Sequence, residues 1–143
     1  QIFLAAMGHT LSVYGAEVRG ALQMADGPMG RVEAIVRSSF SPTNFRREVV
    51  AAWLNFYVLA QRSPEARRLL NVYQRRVRSN LRVGLRPLVG GSAGDVAERI
   101  AALIDGMYLK HTLGEDEPDR EAAVAQVLGC IGAGMVANTK VFQ

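Results

Sequence analysis

Apolar residues recur at intervals of three and four along nearly the whole chain. Phe3, Met7, Leu11, Tyr14, Val18 and Leu22 form the first such stripe and predict a long amphipathic helix from Ile2 to Met24. Gly8, Gly15 and Gly20 weaken that helix but stay off its stripe. Ala25-Asp26-Gly27-Pro28 then breaks the pattern, and Val32, Ile35, Val36 and Phe40 mark one side of a shorter second helix. From Val49 to Ala60 the pattern changes character: this stretch is apolar on almost every face and contains Trp53, the one tryptophan. Helical spacing places Trp53, Phe56 and Tyr57 within about one turn, so the segment predicts a central helix buried on several sides.

Two serine-proline pairs set boundaries. A serine hydroxyl can accept a backbone N–H of the first helical turn, and proline at the first helical position gives up a donor that has no partner there. Ser41-Pro42 therefore predicts that the central helix starts near Pro42, and Ser63-Pro64 that the next one follows at once. Ala66, Leu69, Leu70, Tyr73, Val77 and Leu81 are the buried stripe of that next helix. Arg67, Arg68, Arg75, Arg76, Arg78 and Arg82 fall on its flanks and outer face, and Pro87 with Gly90-Gly91 ends it.

Asp95 to Leu113 predicts a helix with two adjacent apolar faces, Val96, Ile100, Leu103 and Met107 on one and Ala97, Ala101, Ile104 and Tyr108 on the other. Such a helix needs cover on two sides. The acidic turn before the last helix places negative charge where the helix dipole favours it. That helix, Glu117 to Asn138, carries Ala123, Val127, Cys130 and Ile131, with Gly129, Gly132 and Gly134 permitting close approach by another helix. No strand alternation or internal repeat interrupts the series, so the fold class expected is all-α in one domain spanning residues 1–143.

Composition narrows this picture. A chain of 143 residues buries about two-thirds of its extended surface, enough for one core. No apolar run approaches the ~20 residues that cross a bilayer, so no membrane partner is expected. Cys130 is the single cysteine, read as a small buried hydrophobe suited to a reducing cytoplasm. The net charge of +4 is carried mainly by arginine between Arg62 and Arg86. A modest excess of this kind usually marks solvated helix faces, with phosphate contact by the same face as the alternative. His9 and His111 lack neighbouring ligands at metal spacing, and Gly90 to Gly94 lacks the lysine of a phosphate loop. With no ordered nucleophile, base and acid either, neither an enzyme nor a cofactor is expected. The sequence opens on Gln1 inside a helical pattern and without a signal-peptide flank, which reads as a fragment.

Three segments carry a resemblance. Phe45 to Tyr57 reads F-R-R-E-V-V-A-A-W-L-N-F-Y, Ser63 to Leu81 reads S-P-E-A-R-R-L-L-N-V-Y-Q-R-R-V-R-S-N-L, and Ile100 to Lys110 reads I-A-A-L-I-D-G-M-Y-L-K. In this order they resemble the C-terminal regulatory domain of TetR-family repressors, and most of all the BetI branch, the choline-responsive repressors of glycine betaine synthesis. The I-D-G segment marks only the superfamily, whereas the tryptophan and arginine segments are narrower. The resemblance implies a six-helix ligand-binding and dimerisation domain. Asp95–Leu113 and Glu117–Asn138 would pair with a second subunit as a four-helix bundle, and operator DNA would be met only by an N-terminal helix-turn-helix of about fifty residues that this sequence lacks.

A choline-like effector then becomes the expected ligand. A quaternary ammonium has no N–H to donate, so its recognition rests on aromatic faces worth about 0.5 to 2 kcal/mol each and on a nearby anion. Trp53, Phe56 and Tyr57 supply rings from the central helix, Tyr73 faces them from the next, and Tyr108 closes the cage. Asp105, one turn before Tyr108, supplies the carboxylate. Each assignment has a rival: the rings as plain core, Asp105 paired with an arginine or with backbone, and a larger apolar molecule such as an acyl chain or drug as the ligand.

Overall fold

In the computed structural model, which describes the backbone of residues 2–141 and the side chains of residues 2–132, the chain is all α-helical. Six helices follow one another: α1 (Ile2–Met24), α2 (Gly27–Ser39), α3 (Arg47–Ala60), α4 (Pro64–Val89), α5 (Ala93–Leu113) and α6 (Arg120–Val141), with a single 3-10 turn, Gly90–Ser92, between α4 and α5. None of the described helices is long and apolar enough to cross a membrane.

The helix at the centre is α4 rather than α3. It packs along α2, α3 and α5, whereas α3 rests chiefly on α4 and α5 and leaves Val58 54% exposed. Phe40, Phe56, Ile35, Leu81, Leu85 and Ile100 are the largest side chains fully removed from water, and they come from four different helices or their ends. The closest helix pair is α2 and α4. At Gly84 a Cβ would lie 3.0 Å from Val32 Cγ2 and 3.3 Å from the Pro28 carbonyl oxygen, so glycine is what lets the two backbones meet.

The two serine-proline pairs behave differently. Ser63 caps α4 as expected, its Oγ accepting the Ala66 N–H at 3.2 Å. Ser41 does not cap α3: its hydroxyl donates to Glu17 of α1 at 3.0 Å, and Asn44 and Phe45 turn inward to 3% and 2% exposure. Residues 41–46 therefore form a turn, and α3 starts at Arg47. Pro87 does not end α4, which runs on to Val89 and stops at Gly90, where φ is +59°.

The last two helices are also shifted from their predicted bounds. α5 starts at Ala93, two residues before Asp95. α6 starts at Arg120 rather than Glu117, because Asp119 Oδ1 accepts the Ala122 N–H at 3.0 Å and so closes the first turn from one residue before it. Ala123, Val127 and Ile131 are buried on α6, but Cys130 is exposed, since one residue before Ile131 falls at the stripe's edge. Gly134 lies outside the described side chains.

Candidate functional site

Helical spacing on α3 brings three rings together around Trp53. Its ring centroid lies 6.3 Å from that of Phe56, 6.2 Å from that of Tyr57 and 5.1 Å from that of Tyr73 on α4. Tyr73 in turn meets Tyr14 of α1 edge-on at 5.4 Å. The rings thus form a continuous row from α3 across α4 to α1. Trp53 and Phe56 are 2% and 0% exposed, and the indole N–H of Trp53 is buried with no hydrogen-bond partner among the described residues. Leaving a buried donor unpaired costs about 1–3 kcal/mol.

Beside this row, where α3, α4 and α5 converge, is a small cavity of about 40 Å³. Tyr57, Tyr73, Arg78, Ile104 and Asp105 line it, together with Ser39 from the end of α2. By the rule that one water needs about 10–15 Å³ of such volume, it holds a few waters at most. Tyr57 donates its hydroxyl to Asp105 Oδ1 at 3.0 Å. Arg78 also reaches the cavity, but its guanidinium is held 2.7 Å from Glu98.

The electrostatics give Asp105 a special place. Burial pushes the phenol of Tyr57 far up, and the neighbouring Asp105 charge and the bond between them add to the shift. Burial likewise raises Tyr73 and Tyr108, so these side chains are neutral phenols with intact aromatic faces. The Asp105 carboxyl is raised too, first by burial, against the opposing effects of the Tyr57 hydroxyl and the Arg78 charge. Asp105 is the single carboxylate among the cavity-lining residues.

Of the six residues singled out from the sequence, the fold gathers Trp53, Phe56, Tyr57, Tyr73 and Asp105 in one region. Tyr57, Tyr73 and Asp105 line the cavity, Trp53 packs against both tyrosines, and Phe56 lies against Trp53 away from the lining. Tyr108 belongs to a separate group. Its ring packs 5.9 Å from Phe40 and 5.3 Å from Phe45, and its hydroxyl donates to the Ser39 carbonyl.

Ser39 joins the two groups. Its hydroxyl donates to the Ile35 carbonyl at 3.1 Å and accepts from the Tyr14 hydroxyl at 2.9 Å, so α1, α2 and α5 are tied at one residue that also lines the cavity. Sequence reasoning missed Ser39 and Arg78 as parts of this site. Tyr14 was visible only as one member of an apolar stripe.

Solved structures of other proteins share this fold. A crystal structure of a candidate transcriptional regulator from Pseudomonas aeruginosa PAO1 superposes with a TM-score of 0.77 at 23% identity, covering 93% of this chain and 69% of that one. One from Saccharomonospora viridis, solved in complex with choline, superposes with a TM-score of 0.75 at 20% identity, covering 92% of this chain and 71% of that one. The fold is therefore that of the helical body of bacterial transcriptional regulators.

The sequence profile of the BetI-type transcriptional repressor C-terminal region matches residues 28–133. The HTH-type transcriptional regulator BetI of Brucella melitensis biotype 2 is 43% identical over 128 residues, 89% of this chain and 65% of that protein. Its counterpart in Rhizobium meliloti strain 1021 is 42% identical over 139 residues, 96% of this chain and 68% of that protein. The chain belongs to the BetI-type family of TetR transcriptional repressors. It spans about two-thirds of the length of these relatives, which are named as regulators and not as enzymes.

Proposed function

We propose that this chain is the effector-binding and dimerisation region of a BetI-like repressor of the cytoplasm, which senses choline or a related quaternary ammonium and then releases the operator of glycine betaine synthesis genes. The observation that carries this reading is the Tyr57–Asp105 pair at a cavity walled by Tyr57 and Tyr73. It offers a cation aromatic faces and one carboxylate, the two features that recognition of a quaternary ammonium requires. At about 40 Å³ the cavity is a closed state. Choline enters by displacing the Tyr57 hydroxyl from Asp105, trading a hydrogen bond for an ion pair. The unpartnered Trp53 N–H is a donor within this cluster for an oxygen such as choline's hydroxyl. The choline complex of the Saccharomonospora viridis protein supports the ligand class.

Transmission follows from Ser39. Widening the cavity strains the bonds by which Ser39 holds Tyr14 of α1 and Tyr108 of α5, so choline favours one placement of α1 over another. Operator contact belongs to the helix-turn-helix region for which the relatives are named, outside these 143 residues. The dimer forms through α5 and α6. Leu109 and Leu113 are 51% and 77% exposed on α5, and the open sides of Gly129 and Gly132 on α6 allow a second copy to approach. A monomer in sedimentation at micromolar concentration would overturn that part.

Choline titrated into this chain, followed by Trp53 fluorescence and by calorimetry, tests the effector reading. The expected result is a saturable response to choline, little response to the uncharged isostere 3,3-dimethylbutanol, and weaker binding in Asp105→Asn. Absence of choline binding by both methods overturns it.

A further inference from the structure

A cavity larger than the Tyr57–Asp105 one lies elsewhere, where α1 and α4 stand apart over Ile35 of α2, and its volume is about 530 Å³. That is the size of an ordinary small-molecule site. Its lining runs from Gly8 to Arg19 along α1 and from Leu69 to Asn80 along α4. Eleven helical steps on each side make it about 16 Å long. The deeper wall is apolar, with Leu11, Val18, Leu69 and Val77, and the edge-on pair Tyr14 and Tyr73 sits within it.

The charge of this cavity differs from that of the smaller one, whose lining holds both Asp105 and Arg78. Arg19 and Arg76 line it from exposed positions and no aspartate or glutamate does. Three arginines elsewhere are matched to acids: Arg37 with Glu33 and Glu121, Arg47 with Glu117, Arg78 with Glu98. Among the described residues neither Arg19 nor Arg76 has such a partner. Glu17, the acid nearest Arg19 in sequence, is taken up by Ser41 and Thr43. Arg19 instead lies along its own helix, its Nη1 3.4 Å from where a Cβ on Gly15 would stand, and Gly15 lines the same cavity.

An elongated apolar trough with unpaired guanidinium groups at its rim fits a ligand with an apolar chain and one carboxylate, because a guanidinium matches a carboxylate with two parallel bonds. We propose that the α1–α4 cavity binds an amphipathic carboxylate of the acyl-chain type. Arg19 and Arg76 hold the carboxylate and the apolar wall holds the chain. This site lies across Tyr73 and Val77 from the proposed choline site, and its assignment does not depend on that reading.

Calorimetry of this chain with decanoate, decanol and decyltrimethylammonium, all below their aggregation thresholds, provides the test. The expected result is saturable binding of decanoate, roughly tenfold weaker binding of decanol, and weaker binding still of the cation. Shortening the acid should weaken it by roughly fourfold for each methylene lost from the trough. Arg19→Gln with Arg76→Gln should weaken decanoate at least tenfold and leave decanol unchanged, while Asp105→Asn leaves decanoate binding intact. Both arginines are exposed, so the double variant should keep the wild-type melting temperature and circular dichroism. Absence of saturable decanoate binding, equal binding of the acid and the cation, or indifference to the double variant would each overturn the proposal.

Discussion

The α3–α5 cavity and the α1–α4 cavity share Tyr73 and Val77 and little else. Tyr73 forms part of both, yet on its α3–α5 side the space is about 40 Å³ and on its α1 side about 530 Å³. On the closed side Ala97, Ile100 and Ile104 of α5 and the Trp53 cluster of α3 are buried around α4. On the open side α1 leans mainly on α2, and Gly8, Gly15, Ser12 and Ser79 face the gap to α4. Aromatic residues therefore mark where the molecule is most tightly filled, and small residues on diverging helices mark where it is hollow. A search for ligand space guided by rings alone would find the tighter region first.

Mutations can separate the two regions, and the greatest effect is expected at the tight one. Phe56→Ala removes a ring that is 0% exposed and should destabilise the fold by about 3–5 kcal/mol, read as a lower urea midpoint. A loss below about 1 kcal/mol would mean that the Trp53 cluster is loosely packed. Gly84→Ala should cost about 1–3 kcal/mol, because its Cβ meets Val32 and the Pro28 carbonyl. The same change at Gly8, which lines the hollow region and has nothing within 4 Å of a built Cβ, should instead stabilise by about 0.5–1 kcal/mol through helix propensity. Opposite signs in thermal melts of these two glycine variants would confirm the contrast, and equal signs would break it.

The smallest effect is expected at Asp105. Its carboxyl is raised in the folded state, so the folded protein holds that proton more tightly than the unfolded chain does, and stability declines as pH rises through the folded value. Asp105→Asn removes that decline while keeping an oxygen for Tyr57 to bond. The gain should be at most about 0.5 kcal/mol at neutral pH, given the exposure of this residue, and should vanish below the ordinary value of 3.8. A gain that instead grew on acidification would show that Arg78, not burial, governs this carboxyl.

Much of the fold could be read from spacing, because a buried stripe is a local property of a helix. The stripe residues chosen on α2 and α4, from Val32 to Leu81, are all buried or packed against the core. Helix boundaries were less legible: the two serine-proline pairs look alike in sequence, yet only Ser63 caps. Glu17, twenty-four residues before Ser41, captures the other hydroxyl. Nothing near Ser41 announces that. Tyr108 shows the same limit within the candidate site. Its helical phase points it inward, but whether it joins Trp53 or Phe45 depends on how α5 is set against the 41–46 turn. Ser39 and the unpaired arginines of the hollow region were hidden for a related reason, since each acquires its meaning from a neighbour on another helix.

A single aromatic ring shared as a party wall has a further consequence. If a cation fills one room and an anion the other, neither affinity is a fixed constant, because moving Tyr73 for one tenant alters the floor plan of its neighbour. Thermodynamic reciprocity requires the two influences to be equal: whatever factor the acid imposes on the affinity for the cation, the cation imposes on the acid. A protein built this way would report a ratio of two metabolite classes rather than the level of one.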